Sequence, residues 1–165
     1  VDSAHRSGWE IAEVVFGLPF LAGIALHFAA PIALPGGVIH PALIAVGILL
    51  VFAGLRVIGL ARRELAAFHQ PTDPGQPTGR LVTSGVYAFS RNPLYLAGGL
   101  VFLGLDLALR SPWALGMLLV SLALCHAVLI LPEERYLASK FGGEYTAYAA
   151  AVHRWLGRKQ LPRQL

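Results

Sequence analysis

Charge is what this chain has least of. Lys, Arg, Asp and Glu make up 13% of its 165 residues, about half the share of a soluble domain, so a solvated surface over most of the chain is excluded. Cysteine occurs once, at Cys125 inside an apolar run, which rules out an internal disulfide and a cysteine-rich zinc cluster. No nucleophile–base–acid signature, phosphate-cradling glycine loop or His/Cys/Asp ligand spacing is present. DNA- and RNA-binding motifs are absent too, so neither a metal nor a nucleic acid is expected as a partner.

What is present is apolar. Hydrophobic residues reach 56%, and the mean hydropathy is +0.62, the composition of an integral membrane protein. The formal charge of +4, from thirteen Lys and Arg against nine Asp and Glu, fits basic residues collected on the cytoplasmic side of a bilayer. Four apolar runs stand out, Val14 to Leu34, Leu43 to Leu60, Leu94 to Leu109 and Trp113 to Leu131. The first is long enough to cross roughly 30 Å of hydrocarbon. The third gives a helix only about 24 Å long, which predicts a tight hairpin with the fourth, turned by Arg110, Ser111 and Pro112. The first loop carries no charge, whereas Arg62 and Arg63 close the second run. That asymmetry predicts both termini in the cytoplasm.

The expected fold is therefore all-α and integral to the membrane, with about four transmembrane helices and C-terminal cytoplasmic or interfacial helices. Residues 1–165 read as one membrane domain, with two spans in 1–63 and the loop, hairpin and terminal helices in 64–165. Three prolines and two glycines between Glu64 and Arg80 predict an irregular loop. Pro132, Glu133 and Glu134 suit a helix start. Tyr145, Tyr148, Val152 and Trp155 recur at helical spacing among charged residues, which predicts an amphipathic helix lying on the membrane surface.

Polar residues are concentrated in Leu81 to Tyr95, LVTSGVYAFSRNPLY. Arg91, Asn92 and Pro93 place a cation, an amide and a φ-fixing residue ahead of a helix, whose first N–H groups offer donors to an anion. Arg91 alone also reads as a positive-inside anchor. An antiparallel hairpin returns Glu133 and Glu134 to the same face as Arg91 and Tyr95. His126, seven residues before Glu133, then shares the face of that carboxylate; a hydrogen-bonded core histidine is the equal alternative. Arg56 reads as snorkelling to the interface, and Asp106 with Arg110 as a solvated i,i+4 pair.

Taken in order, Leu81 to Tyr87, Arg91-Asn92-Pro93-Leu94-Tyr95, the apolar hairpin, Glu133-Glu134, and Phe141-Gly142 with Tyr145 and Tyr148 resemble the isoprenylcysteine carboxyl methyltransferase and phospholipid methyltransferase superfamily. The resemblance covers Leu81 to Leu156. It implies a methyltransferase dependent on S-adenosyl-L-methionine, releasing S-adenosyl-L-homocysteine, with a lipophilic or small-molecule acceptor and the bilayer as partners. By position it implies that Leu81, Val82, Tyr87, Arg91, Asn92, Pro93, Tyr95 and Glu133 contact cofactor. His126 and Glu134 are the candidate bases for an acceptor that arrives protonated. Asn92 stands where prenylcysteine enzymes have histidine, and Leu129 where they use arginine for substrate, so the acceptor stays open. Two alternatives accompany this reading: a sterol-reductase-type membrane reductase using NADPH, and a non-enzymatic membrane scaffold. The first has a related Arg-x-Pro-x-Tyr segment, but Leu94 and Ala97-Gly98 depart from its pattern.

Overall fold

The computed structural model describes residues 11–32, 39–71 and 77–159. The described residues form α1 (Ala12–Ala29), α2 (Ile39–Ala67), a 3₁₀ turn (Gly85–Ala88), α3 (Pro93–Leu109), α4 (Pro112–Leu124), a π-helical segment (Cys125–Ile130), α5 (Leu131–Phe141) and α6 (Gly143–Ala151). No strand occurs among them. Among the described residues, three helical runs are long and apolar enough to cross a bilayer: α1, α2, and the continuous run Pro112–Phe141. The remaining apolar helix, α3, has 17 residues and is about 26 Å long. The breakers Pro35 to Gly37, and Pro74 and Gly75 of the proline-rich loop, lie outside the described residues.

Two boundaries depart from expectation. Helix α2 runs past Leu60 to Ala67, because Ala61, Leu65, Ala66 and Ala67 are strong helix formers, and it stops where His69 takes a positive φ of 53°. Glu64 is thus helical rather than part of the loop. Pro132, expected to begin a new helix, lies inside a continuous one. Its ring would crowd the carbonyl four residues back and it has no N–H to donate. The helix widens at that point, with the Leu131 N–H reaching the His126 carbonyl five residues back.

The helices pair through small residues. A Cβ on Gly54 of α2 would lie 2.6 Å from Val101 Cγ2 and 2.7 Å from the Ala97 carbonyl of α3. Seven residues along each helix, Gly47 and Gly104 meet backbone to backbone, a Cβ on either overlapping the other's carbonyl. In a membrane, where burying apolar surface gives helices no drive to associate, such close approach supplies the packing. Helix α1 instead rests on α4, tied at its end by Trp113 Nε1 donating to the Ala30 carbonyl at 2.7 Å. Phe16 of α1 stacks on Phe102 of α3 with ring centroids 5.6 Å apart, above a core of Val15, Leu118, Cys125, Leu129 and Ile130. Helices α1 and α2 make little contact with each other, which leaves a space between them above α3.

Asp106 differs from its expected solvated state. Its side chain is enclosed, 1% exposed, and neither carboxylate oxygen has a hydrogen-bond partner among the described residues. Helix α3 turns at Arg110, which adopts the left-handed region with φ 52°. Ser111 then caps α4 by accepting from the Ala114 N–H at 3.2 Å, with Pro112 at the first helical position.

Candidate functional site

The polar segment before α3 is held by backbone contacts rather than by regular structure. Leu81 and Val82 are buried. Gly85 takes a φ of +56° and lets the chain turn against Glu64, where a side chain would meet that carboxylate. Ser84 Oγ donates to the same carboxylate. The 3₁₀ turn that follows brings Tyr87 inward, and the Tyr148 hydroxyl of α6 donates to the Tyr87 carbonyl at 2.7 Å. Burial, with the Glu133 charge second, pushes the Tyr87 phenol above its ordinary pKa, and burial does the same for Tyr148. Both therefore stay neutral hydroxyls near neutral pH.

Arg91 and Asn92 are positioned by the chain beyond α6. The Arg91 N–H donates to the His153 carbonyl at 3.2 Å, and Asn92 Nδ2 to the Arg154 carbonyl at 3.2 Å. The Arg91 side chain is 10% exposed and lies 3.3 Å from Glu134 Oε1. It also donates from one terminal nitrogen to the Tyr145 hydroxyl at 3.1 Å. Its Nε has no hydrogen-bond partner among the described residues. Across the site, the Tyr95 hydroxyl donates to Glu133 Oε2 at 2.9 Å. The helical hairpin thus brings Tyr95 at the start of α3 to Glu133 in the first turn of α5.

Beside these groups lies a cavity of about 420 Å³. Leu81, Val82, Tyr87, Arg91, Asn92, Pro93, Tyr95 and Glu133 all line it; His126 and Glu134 do not. His126 sits in the π-helical segment, whose wider turn shifts its register against Glu133 and takes it off the face that straight α-helical counting gives. Glu134 lies behind Arg91, with both oxygens accepting from Arg154, Oε1 from Nε at 2.9 Å and Oε2 from a terminal nitrogen at 2.7 Å. That bond raises the pKa of Arg154, keeping it cationic.

Part of the cavity comes from residues that sequence reasoning did not select. Phe16 of α1, Ile58 and Arg62 of α2, Gln70, and Tyr136 of α5 line it as well. Gln70 Oε1 accepts from the N–H groups of Gly79 and Arg80 at 2.7 and 2.9 Å, which ties the two ends of the proline-rich loop together beside the cavity. In sequence, Phe16 and Ile58 are indistinguishable from lipid-facing residues, since only the gap between α1 and α2 makes them wall. Tyr145, Tyr148 and Val152 were expected on a membrane-surface helix. They are instead buried against Leu81, because their apolar face meets protein, and α6 ends at Ala151. Val152 to Arg158 forms a tight turn closed by an isolated antiparallel bridge.

Fold and site together define a membrane protein with a cavity lined by ionic, aromatic and apolar side chains. The phospholipid methyltransferase family matches residues 37–144, and the chain belongs to that family, whose members are methyltransferases. The cobalt-zinc-cadmium resistance protein CzcN of Cupriavidus metallidurans is 36% identical over 89 residues, 54% of this chain and 41% of that protein. The match thus takes in less than half of the relative's length. No solved structure shows a significant match.

Proposed function

We propose that the protein transfers a methyl group from S-adenosyl-L-methionine to a lipophilic acceptor, at the cytoplasmic face of a membrane that its helices cross several times. The observation that carries this reading is the cavity itself, which Arg91, Tyr87, Tyr95 and Glu133 line together with apolar side chains of α1 and α2 such as Phe16 and Ile58. The residues fit the donor. A nearly buried arginine, Arg91, that lines the cavity suits its carboxylate. Two aromatic side chains and the Glu133 carboxylate suit its sulfonium charge. When bound, the donor supplies an activated methyl group to an acceptor lone pair.

The chain's own part is binding and orientation, which can lower a two-substrate barrier by about 7–11 kcal/mol when both partners are held in line. Arg91 anchors one end of the donor. The Tyr95–Glu133 pair, fixed by its hydrogen bond, holds the charged centre, and Phe16, Ile58 and Phe102 shape an apolar path for the acceptor. Glu134, committed to two arginines, acts in positioning rather than as a base.

Calorimetric titration of the detergent-solubilised protein with S-adenosyl-L-homocysteine tests the reading. Binding together with a rise in melting temperature is the expected outcome, since only a ligand of the folded state shifts stability by mass action. Stabilisation by NADPH with none by S-adenosyl-L-homocysteine refutes it and favours a reductase.

A further inference from the structure

We propose that Arg154, in the turn beyond α6, is the positioning residue that keeps the charge of Arg91 available to an anionic ligand. The proposal deepens the reading above, in which Arg91 meets the donor's carboxylate.

The turn is stitched to the segment before α3 along its whole length. Gly157 N–H donates to the Phe89 carbonyl at 2.7 Å, and Arg91 N–H to the His153 carbonyl at 3.2 Å. The Arg154 carbonyl accepts from Asn92 Nδ2 at 3.2 Å and from Ser90 Oγ at 3.5 Å. The turn closes on itself through His153 N–H to the Gly157 carbonyl at 2.9 Å, with Gly157 at a φ of +103°. All of these bonds use backbone atoms of the turn, so they survive any substitution of the Arg154 side chain.

The guanidinium has a separate task. Its planar fork takes both oxygens of Glu134, at 2.9 and 2.7 Å, a geometry that lysine cannot reproduce. Arg91, which lines the cavity, is left with the longer contact to Glu134, 3.3 Å. Two guanidinium groups share one carboxylate, so the cluster of Arg91, Arg154 and Glu134 carries one positive charge more than Glu134 neutralises. Without the Arg154 fork, Glu134 is free to take Arg91 bidentately, and the charge facing the cavity is quenched. Arg154 is one-third exposed and does not line the cavity, so it acts through Glu134 rather than on the ligand.

The test compares Arg154→Met, Arg154→Lys and the double variant Arg154→Met/Glu134→Gln, each judged folded by its elution profile and melting temperature. Titration with S-adenosyl-L-homocysteine should weaken about tenfold in Arg154→Met and less in Arg154→Lys, the scale of one charge-assisted contact. Removing the quenching carboxylate should restore affinity in the double variant to within about threefold of the parent. Titration with 5′-methylthioadenosine, which lacks the carboxylate, should be unchanged throughout. A merely structural role predicts instead that the double variant binds no better than Arg154→Met, and that result overturns the proposal. Parental affinity in Arg154→Met does so as well. Should Arg154→Met fail to fold, Arg154→Lys with and without Glu134→Gln decides by the same rescue. Failure of the unmodified protein to bind S-adenosyl-L-homocysteine refutes the methyl-donor reading, and this proposal with it.

Discussion

Replacing Arg91 by alanine is the most direct perturbation of the ionic wall. The guanidinium is nearly buried, donates to the Tyr145 hydroxyl at 3.1 Å and lies 3.3 Å from Glu134. Its loss does not orphan Glu134, which keeps two bonds from Arg154, and Tyr145 stays packed against Leu81. The fold should therefore persist. A hydrogen bond to a charged group contributes about 1.5–3 kcal/mol, which is roughly 10- to 150-fold in dissociation constant. Calorimetry should show a loss of that size for S-adenosyl-L-homocysteine in Arg91→Ala, and roughly half the free energy lost in Arg91→Lys, which keeps the charge without the fork. The same titration with 5′-methylthioadenosine, which has a methyl in place of the homocysteine chain with its ammonium and carboxylate, should move less than about threefold. Unchanged affinity for S-adenosyl-L-homocysteine in a folded Arg91→Ala refutes the reasoning. Equal losses for the two ligands refute it too, since the effect would then be general rather than directed at the carboxylate.

Two further outcomes follow from the same geometry. Glu133→Gln keeps an acceptor for the Tyr95 hydroxyl, now 2.9 Å from Glu133 Oε2, but removes the charge. It should weaken the cationic S-adenosyl-L-methionine about tenfold more than the neutral S-adenosyl-L-homocysteine, and an unchanged ratio of dissociation constants contradicts a role for Glu133 toward the sulfonium. Gly104→Leu forces a side chain into the Gly47 carbonyl and Val51 of α2; overpacking of this kind costs about 2–3 kcal/mol. Thermal unfolding in detergent should show the lowered midpoint, and a parental midpoint would mean that α2 and α3 are not in backbone contact.

Much of the site is legible in the sequence because its residues are close in the chain. Leu81 to Tyr95 carries Tyr87, Arg91, Asn92, Pro93 and Tyr95 within fifteen positions, and their polarity stands out against an apolar background. Glu133 is legible one step further out, since a hairpin of two apolar helices must return to its starting side. His126 shows where such counting fails: one wide turn at Cys125 to Ile130 changes the angle between residues seven apart, and nothing in their identity announces it beyond Pro132. Asp106 shows another limit, because a carboxylate four residues from an arginine looks solvated until Phe20, Phe102 and Leu118 are seen to close around it.

By itself the sequence determines the solvent of this protein and its main apolar helices. Apolar runs too long for a soluble core select helices in a bilayer, where backbone groups must bond within their own segment. It also determines which side chains can meet an ion, because so few are charged. Tertiary structure alone decides which of them share the charge of one carboxylate, and that α1 and α2 both contribute to the wall of one cavity. It likewise turns the tyrosines of α6 inward and sets Arg154 behind Arg91. Those outcomes depend on which small residues let helices touch, at positions more than forty residues apart, and on where a turn such as Val152 to Arg158 docks, through contacts more than sixty residues apart.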